Sequence, residues 1–376
     1  MIPIIKPWLG EQEAEAARDA ILSGWVAQGP RVGQFERAVC DRVGATEGLA
    51  VSSCTTGLHL ALIGAEVGPG DDVVVPSLSF IATANSVSYC GANSVFADVC
   101  PVTQNVTAQT VSDAITPKTK AVLLVHQVGM PADIDAIRAV CDAAGAVLIE
   151  DAACAIGSTY KGAEIGGHSP FVVYSFHPRK VITTGEGGMV MVQDKAIADR
   201  LRILRQHAMS ISDVARHSSE EFVFESYPEL GYNYRMTDIQ AAIGMVQLGK
   251  LSAVVSRRRQ LAQNYHRALE HYEILQLPVD PSYGTTNYQS YCIKLRDGGR
   301  KLRDRILQGF KDRQIGGKRG IMAAHLEGAF STHRQAGRGS LPESERWTDE
   351  SFVLPMYHHM TQSEQAQVVE ELRVLL

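Results

Sequence analysis

Short apolar runs alternating with helical stretches constrain this chain more than any other feature. Asp72–Pro76 (DVVVP), Ser94–Asp98 (SVFAD), Ala121–His126 (AVLLVH), Ala146–Asp151 (AVLIED), Val172–Phe176 (VVYSF) and Met189–Val192 (MVMV) succeed one another with helix-like sequence between most of them. Strands rich in β-branched residues, with little polar face, are buried on both sides, so the reading is an α/β fold with a mostly parallel sheet and helices on both faces. Ligands of such sheets lie outside the carboxyl ends of the strands. Polar or special residues collect there: Ser77 and Phe80, Asp98, His126, Asp151, and Ser175 with Lys180.

The flanking pattern predicts helices over Glu11–Gly24 and Gln34–Arg42, and a long one from Ile239 through Arg257-Arg258-Arg259 to Leu269. The long helix is read as a bridge from a large domain, residues 1–250, to a smaller C-terminal α+β domain, residues 251–376. In the latter, Tyr288–Leu295 looks like a strand, Lys301–Lys311 a helix, and a closing helix starts at Ser363. A length of 376 residues accommodates two such domains. The polar segment 209–227 has no clear period, which in a compact domain marks it as functional more often than idle.

Charge and cysteine usage exclude several classes. Forty-one acidic against 36 basic residues leave a net charge of -5, so no basic field exists to hold a nucleic-acid backbone. The seven cysteines are odd in number and form no C-x-x-C pair, which reads as reduced cytosolic thiols without a metal site. The N-terminus turns acidic after a few apolar residues and no apolar run reaches about 18 residues. The expectation is a cytoplasmic protein without a membrane partner.

Four stretches carry candidate chemistry. In Tyr174–Val190 (YSFHPRKVITTGEGGMV) a lysine follows a strand and precedes a glycine-rich turn. A lysine in such a place, Lys180, can form a Schiff base with an aldehyde, although a solvated surface charge is the bland alternative. Asp151, at a strand end before Ala152-Ala153, can accept from a protonated pyridine nitrogen or simply cap a helix. Ser52-Ser53-Cys54-Thr55-Thr56-Gly57 leads into an apolar helix at Leu58–Ile63 and reads equally as a phosphate cup or a plain cap. In PSLSF, Phe80 follows another strand end, where it can stack on a planar ring or fill the core. A phosphate cup, an aromatic, an acid and a lysine at successive strand ends is the layout that pyridoxal phosphate chemistry requires.

At this point the chain resembles the DegT/DnrJ/EryC1/StrS sugar aminotransferases of fold type I, nearly end to end. The matching blocks run from Gly24-Trp25, Gly29-Pro30 and Phe35-Glu36 through VPSLSFIATANSV, VHQVGMPADIDAI, EDAACAIGSTYKG, SFHPRKVITTGEGG and GYNYRMTDIQAAIGMVQL. The resemblance implies an aspartate aminotransferase-like large domain with a seven-stranded sheet, pyridoxal 5'-phosphate (PLP, alternating with its amino form PMP) as cofactor, and a homodimer with shared active sites. It implies that Lys180 carries the Schiff base, Asp151 pairs with the pyridine nitrogen, Phe80 stacks on the ring, and Cys54, Thr55 and Ser175 hold the phosphate. Asn233 would reach the phosphate of the neighbouring subunit. Cys54 replaces a small Gly or Ala, and Cys154 stands where many members have Gln or His beside the ring, so Cys154 enters as a contact only.

The reaction so implied moves an amino group from an amino acid, glutamate in the first instance, to a nucleotide-linked keto sugar in aminodeoxysugar biosynthesis for natural products. The Ser-Phe-His block with TTGEGG is associated with transfer to C4 of a dTDP-4-keto-6-deoxy hexose; 3-keto sugars and cyclitol ketones are the alternatives. Trp25, Gln28, His325 and the 209–227 segment are candidates for facing the sugar nucleotide. A dehydrating relative would carry histidine in place of Lys180, and a non-catalytic PLP-binding regulator is the reading from another class.

Overall fold

The computed structural model describes residues 1–211 and 224–376. A seven-stranded sheet forms the centre, in the order β1 (Glu47–Val51), β9 (Gly188–Val192), β8 (Phe171–Ser175), β5 (Val147–Asp151), β4 (Thr119–Val125), β2 (Asp72–Pro76), β3 (Asn93–Ala97). β9 alone runs antiparallel to its neighbours β1 and β8. The other pairings, β8 with β5, β5 with β4, β4 with β2 and β2 with β3, are parallel. The mostly parallel sheet read from the sequence is therefore present, with β1 added at one edge. β1 escapes the pattern because its run, EGLAV, is short and carries Gly48.

Side chains alternate between two apolar layers. Val74 and Leu148 face one core with Phe35, Val39, Ile137 and Leu251, while Val73, Val75 and Ile149 face another with Leu58, Leu62, Val87 and Leu201. The first layer is covered by α2 (Pro30–Val43), α6 (Ile134–Ala144) and α8 (Asp238–Leu269). The second is covered by α3 (Cys54–Gly64), α4 (Ala82–Tyr89) and α7 (Lys195–Leu204). α1 (Glu11–Leu22) lies along α8, and α5 (Ala108–Ala114) lies against β3 and α6.

Local chemistry sets the helix starts earlier than periodicity suggested. α2 begins at Pro30, whose missing N–H costs nothing in a first turn, and ends on Gly44 in the left-handed conformation. Its orphan amides are met from a distance: Asp238, buried at the start of α8, accepts from the N–H groups of Gly29 (2.8 Å), Val32 (3.0 Å) and Arg31 (3.2 Å). Likewise α3 starts at Cys54 because Ser53 and Thr56 form a capping box ahead of the apolar residues.

Both edges of the sheet are stoppered by side chains. At β3 the Gln335 amide accepts from Phe96 N–H (2.9 Å) and donates to Phe96 C=O (2.8 Å), and His333 donates to the Ser94 carbonyl (2.7 Å). At β1, Glu36 accepts from Ala50 N–H (2.8 Å) and Arg205 donates to Ala50 C=O (2.6 Å), the two side chains being themselves ion-paired.

α8 runs unbroken from Asp238 to Leu269, across the expected boundary at 250. By length and mean hydropathy it is apolar enough to cross a membrane, but its buried residues pack into protein: Leu248 and Leu251 join the sheet core, and Leu261, Tyr265 and Leu269 the C-terminal one. The C-terminal part is α+β. Its antiparallel sheet has the order β10 (Leu275–Gln276), β12 (Tyr291–Leu295), β14 (Ser351–Leu354), β13 (Lys318–Arg319), and a third, small sheet has the order β11 (Gly284–Thr285), β6 (Thr159–Tyr160), β7 (Ala163–Glu164). α9 (Gly299–Asp312), α10 (Pro342–Glu350) and α11 (Gln362–Leu375) flank it. The N-terminus contributes Ile2, which bridges Ile315 and shares that core. β12 starts at Tyr291, not Tyr288, because Tyr288 has a φ of 50° that leaves the strand path.

Removing the Asp238 carboxylate strands three amide donors at the α2 start. Asp238→Ala is expected to lower the unfolding free energy by about 2–3 kcal/mol, read as a lower urea midpoint at unchanged slope, with Asp238→Asn in between.

Candidate active site

Three strands end side by side at one place. The register pairs Val125 with Asp151 across β4 and β5, and Asp151 with Val173 across β5 and β8, so the β5 end lies at the level of the last residues of β4 and β8. Because β9 runs the other way, its first residue, Gly188, pairs with Ser175 at the same end. A Cβ on Gly188 would lie 2.7 Å from the Cys54 amide nitrogen, so glycine is what lets β9 begin flush against the first turn of α3.

Asp151 is the buried acid of this end. Its Oδ2 accepts from the Thr83 hydroxyl at 2.9 Å and its Oδ1 from the Ala153 N–H at 3.1 Å. Thr83 is in turn bonded to the Ser79 hydroxyl at 2.7 Å. Burial pushes the Asp151 carboxyl above its ordinary value, against the opposing pull of those two donors, of Lys180 and of His126. The neighbouring His126 and Glu150 are buried and joined at 2.8 Å through His126 Nε2, while His126 Nδ1 accepts from Ala132 N–H (3.0 Å).

Lys180 is carried by a loop closed at its base. Phe176 N–H donates to Gly187 C=O (2.9 Å), and Phe176 C=O accepts from Thr184 N–H (3.0 Å) and the Thr183 hydroxyl (2.7 Å). From α8, Gln240 reaches the Glu186 carbonyl (2.7 Å) and Gln247 the Thr183 amide (3.3 Å). Within the loop, Lys180 N–H donates to His177 C=O. The Lys180 ammonium donates to Cys154 Sγ at 3.2 Å. Burial works to lower this lysine, but Cys154, Cys54 and Asp151 around it raise it, and the raising influences prevail. The Cys54 thiol is pushed well above its ordinary range by burial, with Asp151 adding.

Cys54 and Thr55 are the first two residues of α3, whose amides have no intrahelical acceptor, and Ser175 sits at the end of β8 with its hydroxyl accepting a long bond from His177 N–H (3.4 Å). Phe80 lies between Ser79 and Thr83 with 65% of its surface exposed, a bare ring at the mouth. Asn233 is exposed on an extended segment that pairs with Gln206; its neighbours Tyr232 and Tyr234 stack on each other at 4.9 Å and pack inward. Trp25 and Gln28 are half-buried in the turn before α2, and the Gln28 Oε1 is a buried acceptor without a donor among the described residues. His325 is a correction. Its ring is buried, bonded through Nδ1 to the Ser77 hydroxyl (2.6 Å) and through Nε2 to Glu345 (3.4 Å), so neither nitrogen is free to face a substrate. Most of the 209–227 segment, residues 212–223, lies outside the described residues; its two ends meet where Ser210 N–H donates to Ser226 C=O.

Sequence reasoning passed over Thr83, Ser79 and Asn287. Asn287 donates to the carbonyls of Cys154 and Ile156 (both 2.8 Å) and so fixes the backbone behind Cys154. Thr83 lies within VPSLSFIATANSV, one helical turn after Phe80, but a threonine in a helix carries no signal until its partner across the sheet is known.

A buried acid with an unmet need for positive charge, a lysine beside it, free amides at a helix start and an exposed aromatic ring together fit PLP: ring nitrogen, aldehyde, phosphate and ring face each have a counterpart. The family model described as the DegT/DnrJ/EryC1/StrS aminotransferase family matches residues 7–373. The chain belongs to this family. Among solved structures, the aminotransferase TlmJ from Streptoalloteichus hindustanus is 35% identical, with 100% of this chain and 98% of that one covered at a TM-score of 0.91. DesV of S. venezuelae, solved in complex with a ketimine intermediate, is 30% identical over 99% and 98% of the two chains, TM-score 0.89. The sugar aminotransferase CalS13 from Micromonospora echinospora is 28% identical over 100% of both, TM-score 0.89. The protein is a PLP-dependent sugar aminotransferase with the fold of that class.

The contact between Lys180 and Cys154 makes a prediction of its own. With Cys154→Ala the raising influence of the sulfur on Lys180 is lost and burial acts with less opposition, so the lysine pKa falls and more free amine exists at a given pH. The rate at which the apoprotein captures PLP, followed by absorbance across pH, is expected to reach its plateau at lower pH in the variant.

Proposed function

We propose that this enzyme moves the amino group of L-glutamate to C4 of a dTDP-4-keto-6-deoxy hexose. The carrying observation is the meeting of Lys180, Asp151 and the α3 amides at one end of the sheet, which provides for both halves of a transamination. When bound there, PLP supplies an electron-accepting ring that carries the amino group between the two substrates. Asp151 holds a proton on the ring nitrogen, its Oδ2 fixed by Thr83 and its Oδ1 by Ala153. Lys180, once free, is the base that takes the proton from the α-carbon of the donor and returns a proton on the opposite half. The α3 amides with Ser175 anchor the phosphate, and Phe80 covers one ring face.

The position of the ketone rests on the Ser-Phe-His block before Lys180 and TTGEGG after it. The bare faces of Phe80 and Asn233 support a homodimer in which Asn233 of one protomer completes the partner's phosphate site; Leu230, 91% exposed, lies on the same chain segment. Trp25 and Gln28 are proposed to meet the sugar nucleotide, the unmatched Gln28 acceptor being open to a hydroxyl or amide donor. The cytoplasm, where nucleotide-linked sugars are made, is the proposed location.

Adding L-glutamate to the PLP-loaded enzyme is expected to remove the cofactor's visible band, and dTDP-4-keto-6-deoxyglucose to restore it. Loss without restoration would move the acceptor to a 3-keto sugar or a cyclitol ketone, and no loss would revive the non-catalytic regulator. Lys180→Ala is expected to abolish both changes, and Asp151→Asn to slow them by about a hundredfold or more.

A further inference from the structure

The short strand β13 brings a cation to the mouth of this site. Lys318 pairs with Val353, and Val353 pairs with Cys292 on the next strand, so the three share one face of the C-terminal sheet. Val353 and Cys292 are buried in the core that also holds Val181 and Ile182, the residues directly after Lys180. The chain then passes from β13 into Met322–Ala324, which is bonded to the end of β2: Ser79 N–H donates to Met322 C=O (3.1 Å) and Ala324 N–H to Ser77 C=O (2.7 Å). Lys318 is thus on the face turned to the Lys180 loop and at the level of the Ser79–Thr83–Asp151 chain. Its side chain reaches solvent and has no hydrogen bond or ion pair among the described residues.

Arg179 is the second such cation. It is exposed, its guanidinium has no partner among the described residues, and its carbonyl is held by Gln289 (2.7 Å). Desolvation, with Lys180 and Arg179 adding, holds the Lys318 ammonium below the ordinary lysine range while the sulfurs of Cys154 and Cys292 oppose. Asp151, the nearby acid, is already bonded to Thr83 and Ala153. Cations left without a counter-charge at the mouth of a cleft favour an arriving anion.

We propose that Lys318 is a substrate-positioning residue that takes the carboxylate of the amino donor, with Arg179 as the adjoining positive wall. The inference rests on the transaminase reading above. A donor bonded through its amino nitrogen to the cofactor has its α-carboxylate two bonds from that nitrogen, which places the carboxylate beside Lys180 and Cys154, the groups that Lys318 neighbours. A sugar nucleotide would also bring an oxyanion, its diphosphate, so the test separates the two.

Glutarate, which has the two carboxylates of glutamate and no amine to react, is titrated calorimetrically into the PLP-loaded enzyme, and inorganic diphosphate in a parallel series. Lys318→Met, which keeps the stem, and Lys318→Ala are expected to weaken glutarate binding by about tenfold or more, Lys318→Arg to retain it, and all three to leave diphosphate binding and the melting temperature unchanged. Unchanged glutarate affinity in Lys318→Met, no glutarate binding by the wild-type enzyme, or loss confined to diphosphate would each overturn the assignment. Binding of glutarate does not require turnover, so a Lys318-dependent affinity in an enzyme that fails to transaminate glutamate would sink the reaction and leave the carboxylate site standing.

Discussion

A carboxylate buried at the end of a parallel strand is an expensive thing to keep, and the site is organised around that expense. Asp151 has a hydroxyl and an amide to satisfy it but no full counter-charge bonded to it among the described residues, and burial drives its carboxyl upward. A cationic ring nitrogen relieves that strain directly. The acid therefore does two things at once: it places a buried negative charge at the strand ends, and it favours a ligand that can be protonated where it sits.

The same acid ties the two parts of the molecule together. From Asp151 the bonds run to Thr83, to Ser79, and from the Ser79 amide to Met322, which is only four residues beyond Lys318. A displacement of the C-terminal sheet would be felt at the acid through three hydrogen bonds, and the cofactor base and the substrate mouth share one line of support. The reversed strand β9 supplies the other half of the arrangement. By entering at the end where its neighbours leave, it delivers a glycine to the α3 start and closes the Lys180 loop over the β8 end. Six strands alone would give a sheet with a cleft; the seventh, running backwards, puts a nucleophile beside it.

Much of this was legible in the residues. Asp72–Pro76 was bounded to the residue, and the remaining five strands read from the sequence lie within one or two residues of their ends, because strands buried on both faces are largely apolar runs. Lys180, Asp151 and the Ser53–Thr56 turn were visible as residue types in order along the chain. What could not be read was every feature made by contact across long separations. The cap of α2 by Asp238 spans over two hundred residues, and Thr83 gains its meaning only from Asp151. His325 illustrates the opposite failure: a histidine in a polar neighbourhood reads as available, yet the fold spends both of its nitrogens on Ser77 and Glu345. Lys318, on a strand of two residues, had no pattern to announce it.

The stoppered edges of the central sheet have a consequence for how the chain associates. An open edge strand offers alternate amides and carbonyls to any extended segment that arrives, and is a template for uncontrolled polymerisation. Here the Gln335 side chain imitates a peptide group at Phe96, and the Glu36–Arg205 pair imitates one at Ala50. Each plug gives the edge a partner that cannot be extended, since no further backbone follows it. Copies of this chain are thereby steered away from sheet-to-sheet growth, and association is left to discrete surfaces that close on themselves.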